Sequence, residues 1–184
     1  MKLHLGCWHR YIPGFIHVDL CDMEHIDYQS SIDYLPMFKD NSASIIYSSH
    51  SFEYFDRDEA ASVLREWYRI LKPNGVLRIA VPDFESLNKV YLETGKIENI
   101  LGPLYGHMKI MTNEGERSIH HKTAYTFESL SQILLENNFS EICRYRWQET
   151  IHKDYDDHSQ AYFPHMDKEN GLLLSLNIEA KKSV

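Results

Sequence analysis

Two apolar runs near the start of the chain each end on a residue suited to holding a ligand. Lys2-Leu3-His4-Leu5 leads into Gly6-Cys7-Trp8, and beyond a Pro13-Gly14 turn Phe15-Ile16-His17-Val18 leads into Asp19. Glycine lets a backbone turn sharply and approach a ligand closely, and a carboxylate at the end of the next strand accepts hydrogen bonds from ribose hydroxyls. The pair points to a nucleoside-type cofactor in an open α/β sheet, with Asp19 as the ribose ligand. The same residues also serve as plain turns and helix caps, so the segments downstream have to decide.

Imidazoles and carboxylates gather in three further places. Ser44 to Ser48 reads as a buried central strand, and His50 lies just beyond its carboxyl end, the edge at which open α/β sheets bind ligands. There it packs against a cofactor, positions a substrate, acts as a base, or is simply a capping or core histidine. Between Gln148 and Gly171, His152, Asp154, Asp156, Asp157, His158, His165 and Asp167 alternate with Tyr155, Tyr162 and Phe163. Such donors can ligate a divalent metal, but no tight motif such as His-Glu-x-x-His occurs and no metal is expected. Aromatic faces beside carboxylates suit a sugar-like acceptor, and a polar loop between the last two strands fits the composition equally well. His121 is the third case. With an ordinary imidazole pKa of ~6.5 close to operating pH, His50 and His121 are candidate bases, and Asp157 is a carboxylate alternative.

The elements that must position these groups follow from periodicity. Residues 2–6 and 15–20 read as the first two strands. Asp19 follows Gly6 by only thirteen positions, against ~20 in the dinucleotide fingerprint, so the first crossover helix is truncated or replaced by a loop. Residues 27–38 form an irregular connection containing Ile32-Asp33-Tyr34-Leu35-Pro36. Val63, Leu64, Trp67, Ile70 and Leu71 recur at helical spacing behind an acidic start at Asp56, Asp58 and Glu59, and Pro73 with Gly75 stops that helix before the strand Val76 to Pro82. A helix from Phe84 ends at Gly95. Gly102, Gly106 and Gly115 then interrupt regular structure, which predicts a long, lid-like insertion near 95–125. Thr126 caps a helix to Glu136, and strands over 141–147 and 172–180 enclose a second insertion near 148–171.

Gly6-Cys7, Val18-Asp19, Ser49-His50-x-x-Glu53, Leu71-Lys72-Pro73-Asn74-Gly75 and Arg78-Ile79-Ala80-Val81-Pro82-Asp83-Phe84 come in an order that resembles class I S-adenosylmethionine (SAM)-dependent methyltransferases, over nearly the whole chain. More narrowly it is similar to compact bacterial methyltransferases, some encoded near surface-polysaccharide genes. The resemblance implies a Rossmann-like α/β sheet, mainly parallel with an antiparallel last strand and helices on both faces. It also implies SAM as cofactor and S-adenosylhomocysteine as product. Gly6, Cys7 and Trp8 would then meet the methionine portion, Asp19 the ribose, and Asp33 or Tyr34 the adenine, with His50 packing against the cofactor. Two departures stand out: Trp8 replaces the family's usual second glycine, and Glu53-Tyr54 replaces its Glu-His. Trp8 walls the pocket, reshapes it, or marks lost cofactor binding. The expected reaction is methyl transfer to a hydroxyl, less readily an amine, of a small molecule or glycan precursor. A catalytically inactive methyltransferase-fold binding protein is the alternative. A nicotinamide-dependent oxidoreductase is disfavoured because no complete Gly-x-Gly-x-x-Gly follows the first strand.

At 184 residues, 43% of them hydrophobic, the chain fits one domain spanning 1–184 with a full core. Its net charge of −8 argues against a broad phosphate-tracking surface, so nucleic acid is not an expected partner. No leader-like or membrane-spanning run is apparent, and Cys7, Cys21 and Cys143 have no metal-ligand spacing. A cytoplasmic enzyme with no disulfide framework is expected.

Overall fold

The computed structural model describes residues 1–112 and 115–183. In chain order the strands are β1 (Lys2–Leu5), β2 (Ile16–Asp19), β3 (Tyr28–Gln29), β4 (Ala43–Ser49), β5 (Leu71–Pro82), β6 (Met108–Thr112), β7 (Gly115–Ile119), β8 (Phe139–Arg144), β9 (Tyr162–Phe163), β10 (Leu172–Leu173) and β11 (Ser175–Lys182). The helices are α1 (Arg57–Ile70), α2 (Phe84–Thr94), α3 (Glu98–Tyr105) and α4 (Phe127–Glu136). Seven strands form one sheet in the order β3-β2-β1-β4-β5-β11-β8. Strands β3, β2, β1, β4 and β5 pair in parallel, and β11 is inserted antiparallel between β5 and β8. The expected α/β sheet with an antiparallel last strand is therefore present. Its strand order reverses between β1 and β4, and the carboxyl ends there carry Gly6 and Ser49-His50.

Strand alternation sends Leu3, Leu5, Ile46, Leu77, Ile79, Leu176 and Ile178 into one buried core with Val63, Leu64, Trp67 and Ile70 of α1 and Leu130 and Leu134 of α4. Helix α1 starts on a capping box, in which the Asp56 carboxylate accepts from Asp58 and Glu59 N–H groups while Glu59 accepts from the Asp56 N–H. Thr126 caps α4 in the same reciprocal manner with Ser129. Helix α1 also holds the connection that follows β3: the Trp67 indole N–H donates to the Ile32 carbonyl at 2.8 Å, Glu66 accepts from the Leu35 N–H at 2.8 Å, and Arg69 donates to the Leu35 and Phe38 carbonyls.

The opposite face carries His4, Tyr47 and Asn177, and their cover is built from loops and one short 3-10 turn over 158–160. Ile12 and Phe15, from the loop joining β1 to β2, pack on Tyr47. The His152 ring stacks on Tyr47 with centroids 4.0 Å apart, Tyr47 donates its phenol hydrogen to Asp157 at 2.5 Å, and Asn177 donates to the Ser159 carbonyl at 2.9 Å. Residues 148–171 are thus a structural layer as well as an insertion.

Several expected boundaries move. The long loop expected near 95–125 is regular: it contains α3, with Gly102 inside it, and the antiparallel hairpin β6–β7. Tyr105 and Gly106 close α3, where Gly106 adopts φ +48°. The strand expected over 141–147 starts earlier, at Phe139, and ends at Arg144 because Trp147 enters a 3-10 turn. Residues 172–180 divide into β10 and the longer β11. Among the described residues no helix is long and apolar enough to cross a membrane.

The polar layer on Tyr47 should make the fold acid-sensitive. Burial lowers the His152 pKa from its ordinary 6.5, so below that pH the unfolded chain binds a proton that the folded chain refuses, and stability falls as pH drops. His152→Phe, which keeps the ring and removes the titration, should flatten this loss by up to about 1.4 kcal/mol per pH unit below pH 6.5. Urea unfolding of both proteins between pH 7 and 4.5 measures it; parallel curves would exclude His152 as the source.

Candidate active site

A cavity of about 520 Å³ opens at the carboxyl edge of β1, β2 and β4, where the strand order reverses. That volume lies within the ~300–1,000 Å³ of small-molecule sites, and the location is where open α/β sheets place ligands. Gly6, Trp8, Asp19 and Ile32 line one part of it; His50, Asp157, His158 and hairpin residues Met108 and Ile110 line another.

Gly6 sits at φ +67°, and a Cβ there would run into the Ser51 side chain. Its N–H donates to the Val18 carbonyl at 2.9 Å, which ties the end of β1 to β2. The next turn is completed by Asp19, whose Oδ2 accepts from the Trp8 N–H at 2.7 Å and whose Oδ1 accepts from the Cys21 N–H at 2.9 Å. An ionised carboxylate has about four acceptor positions, so each oxygen keeps capacity for a ribose hydroxyl. Close backbone approach at Gly6 and spare acceptor capacity at Asp19 both fit a nucleoside cofactor. Trp8 adopts φ +45°, the left-handed conformation that a glycine would take without strain. It is 37% exposed and forms part of the cavity wall rather than filling it. Cys7 is buried, and burial raises its thiol pKa well above the ordinary value, so it is a small wall residue and not a nucleophile.

Asp33 and Tyr34 lie outside the cavity wall, and Tyr34 is 68% exposed. The bonds from α1 to Ile32 and Leu35 turn those two side chains inward and the intervening pair outward, which leaves Ser31 and Ile32 on the wall.

His50, also left-handed at φ +50°, has both ring nitrogens engaged. Its Nε2 is 3.0 Å from Ser175 Oγ and its Nδ1 is 3.6 Å from Glu53 Oε1. His121 does not line the cavity but approaches the same Glu53 oxygen with Nε2 at 3.6 Å, while its Nδ1 lies 2.9 Å from the Pro103 carbonyl. Asp157 lines the cavity with a carboxylate that already accepts from Tyr47, Ser49 and the Ser159 N–H. Burial lowers the pKa values of His50, His121 and His158, and pushes the Glu53 carboxyl up to about 8.

Two residues that the sequence offered only as members of longer motifs take distinct places in the site. His158 lines the cavity with its ring centroid 5.3 Å from that of His50, and among the described residues nothing hydrogen-bonds its ring nitrogens. Glu53 is fully buried behind the wall. The i, i+3 spacing of His50 and Glu53 after a central strand was a usable signal for the second; the first depended on how residues 148–171 fold back. No group of three or more metal-type ligands is assembled among the described residues.

Comparison with known proteins bears on this geometry. Residues 16–79 match the family described as "Methyltransferase domain". The Methanosarcina mazei SAM-dependent methyltransferase structure aligns over 100% of this chain and 92% of its own, at 16% identity and a TM-score of 0.56. A SAM-dependent methyltransferase from Archaeoglobus fulgidus aligns over 98% and 85%, at 17% identity and a TM-score of 0.55. The chain carries a class I methyltransferase fold. A third methyltransferase-fold structure, the 1,6-didemethyltoxoflavin-N1-methyltransferase of Burkholderia thailandensis, was solved with 1,6-didemethyltoxoflavin and S-adenosylhomocysteine bound; it aligns over 100% and 71%, at 13% identity and a TM-score of 0.54. No curated protein sequence matches the chain.

Two outcomes test the site's construction. Gly6→Ala should destabilise the fold by about 2–4 kcal/mol, from left-handed strain and the collision with Ser51; an unchanged urea midpoint would show that the loop has room to spare. Glu53→Gln should change the pH profile. A carboxyl held near 8 when folded and near the usual 4.5 when unfolded makes folding take up a proton, so wild-type stability falls relative to the glutamine variant by up to about 1.4 kcal/mol per unit between those values. A pH-independent difference between the two would rule this out.

Proposed function

We propose that the chain transfers a methyl group from SAM to a hydroxyl, or less readily an amine, of a small molecule or glycan precursor. The observation that carries the reading is the pairing of Gly6 and Asp19 across the ends of β1 and β2, on the wall of one cavity at the reversal of strand order. On this reading the ribose hydroxyls bond to Asp19, the Gly6-Cys7-Trp8 turn holds the methionine portion, and Ser31 and Ile32 flank the adenine, with Asp33 and Tyr34 at the outer rim. SAM, when bound, supplies a methyl carbon already activated by its sulfonium, so the protein's main task is to hold the acceptor in line.

The acceptor side is formed by His50, Asp157, His158 and the β6–β7 hairpin. His50 and Asp157 shape the wall through groups already engaged in hydrogen bonds or close contacts, and His121 supports it from behind. His158 is the imidazole free to take the acceptor's proton, and burial keeps it neutral for that purpose. The three free thiols agree with work in a reducing cytoplasm. An inactive binding protein with a blocked loop is the weaker reading, because the cavity is open with Trp8 on its wall.

Calorimetry of SAM against purified protein tests the donor half. Asp19→Asn, whose one carbonyl oxygen can replace only one of the two carboxylate oxygens that accept from the Trp8 and Cys21 amides, should weaken SAM binding about tenfold to a hundredfold through loss of charge-assisted bonds worth ~1.5–3 kcal/mol. Equal affinity in wild type and variant would remove Asp19 from the site. If SAM binds only after Trp8→Gly, the inactive reading would win.

A further inference from the structure

Glu53 has no exposure to solvent, and among the described residues neither of its carboxyl oxygens has a hydrogen-bond partner. Two imidazole nitrogens converge on its Oε1, His50 Nδ1 from the end of β4 and His121 Nε2 from the segment after β7, each at 3.6 Å. The other titratable groups facing it are the phenols of Tyr54, in the same turn, and Tyr125, just before α4. The Tyr125 hydroxyl is itself buried without a partner.

The hydrogens on the two rings follow from what their far nitrogens touch. The Pro103 carbonyl can only accept, so His121 Nδ1 carries a hydrogen and Nε2 of the neutral ring is a bare lone pair. On the other ring, the Asn177 amide nitrogen donates to the Ser159 carbonyl at 2.9 Å, which fixes its oxygen toward Ser175. Ser175 donates its one hydroxyl hydrogen to that oxygen at 2.9 Å and therefore accepts from His50 Nε2 at 3.0 Å. His50 Nδ1 is then also a lone pair. Apart from the N–H of Glu53 itself, an ionised Glu53 would bring three acceptors together with no proton among them, in a space closed to water. One proton on the carboxyl removes the conflict.

We propose that Glu53 is a positioning residue of the pocket: it is a neutral carboxylic acid at neutral pH whose single proton faces the lone pairs of His50 and His121, and this holds on the pocket wall a His50 whose hydrogen Ser175 keeps on Nε2. The placement in a methyl-transfer pocket rests on the function proposed above; the protonation and the tautomers rest on the geometry alone. The acid's proton joins the left-handed turn after β4 to the segment that leaves the β6–β7 hairpin, so one buried acid holds two parts of the acceptor wall together. A separation of 3.6 Å exceeds a hydrogen bond, and contacts of this kind commonly tighten when a site closes on its ligand.

The test is spectroscopic and uses the unliganded full chain. Infrared spectra with ¹³C-labelled glutamate should contain a protonated-carboxyl band at pH 7 that is absent from Glu53→Gln, and ¹⁵N spectra should report hydrogen on His50 Nε2 and on His121 Nδ1. In Glu53→Ala hydrogen should stay on His50 Nε2, where Ser175 holds it, while the ¹⁵N shifts of His50 Nδ1 and His121 Nε2 change on losing the acid; unchanged shifts would overturn the positioning role. Lack of the carboxyl band at pH 7, or hydrogen on His50 Nδ1, overturns the proposal. Should Glu53→Gln fail to fold, loss of the wild-type band as pH is raised past 8 decides the question by itself. Failure of the methyl-transfer reading would appear separately, as wild-type protein that keeps the band and the tautomers but does not bind SAM.

Discussion

Ten residues, 6–15, connect the parallel strands β1 and β2. A parallel connection normally takes a dozen or more residues and runs through a helix across the sheet, and this one is too short for both. Much of the remaining structure answers that constraint. Without a helix over β1 and β4, the face that carries His4 and Tyr47 has to be closed by other parts of the chain. The connecting loop supplies Ile12 and Phe15, and the chain returns from β8 to lay His152, Asp157 and Ser159 over the same strands. Polar groups dominate this layer, so it is held by stacking and directed hydrogen bonds where a helix would have offered an apolar stripe.

The same arrangement couples the scaffold to the pocket. Asp157 belongs to the layer through Tyr47 and to the cavity wall through its position at the β4 edge, and His158 follows it directly. At the other end of the pocket, Asp19 closes the short crossover by accepting from Trp8 and Cys21 amides. Trp8 is held left-handed in a turn where glycine is the strain-free choice, and the Asp19 bond to its N–H helps to hold it there. Burial sets the electrostatics. It keeps the pocket histidines neutral, and it raises the Glu53 carboxyl, because few water molecules or fixed charges are available to stabilise the ionised forms.

What was legible in the chain was periodic or local. Val63, Leu64, Trp67 and Ile70 marked α1, Thr126 marked the start of α4, and Gly6 with Asp19 marked the sheet edge at which the cavity opens, because each signal depends on neighbours within a few positions. The short spacing from Gly6 to Asp19 also announced the missing helix. The glycines at 102, 106 and 115 were misleading about regularity: Gly102 is tolerated within α3, Gly106 ends that helix, and Gly115 begins β7.

The sequence by itself therefore determined the sheet class, the edge at which the cavity opens and the side-chain types available there, since backbone pattern and side-chain type are local properties. Only the tertiary structure decided which of them meet. Asp33 and Tyr34 point away because α1 pulls Ile32 and Leu35 inward. His158 reaches His50 across more than a hundred positions of chain, and Glu53 lies between two imidazoles that are seventy-one residues apart. Burial, and with it the protonation of those groups, is a property of how distant segments close over one another, and no window of sequence contains it.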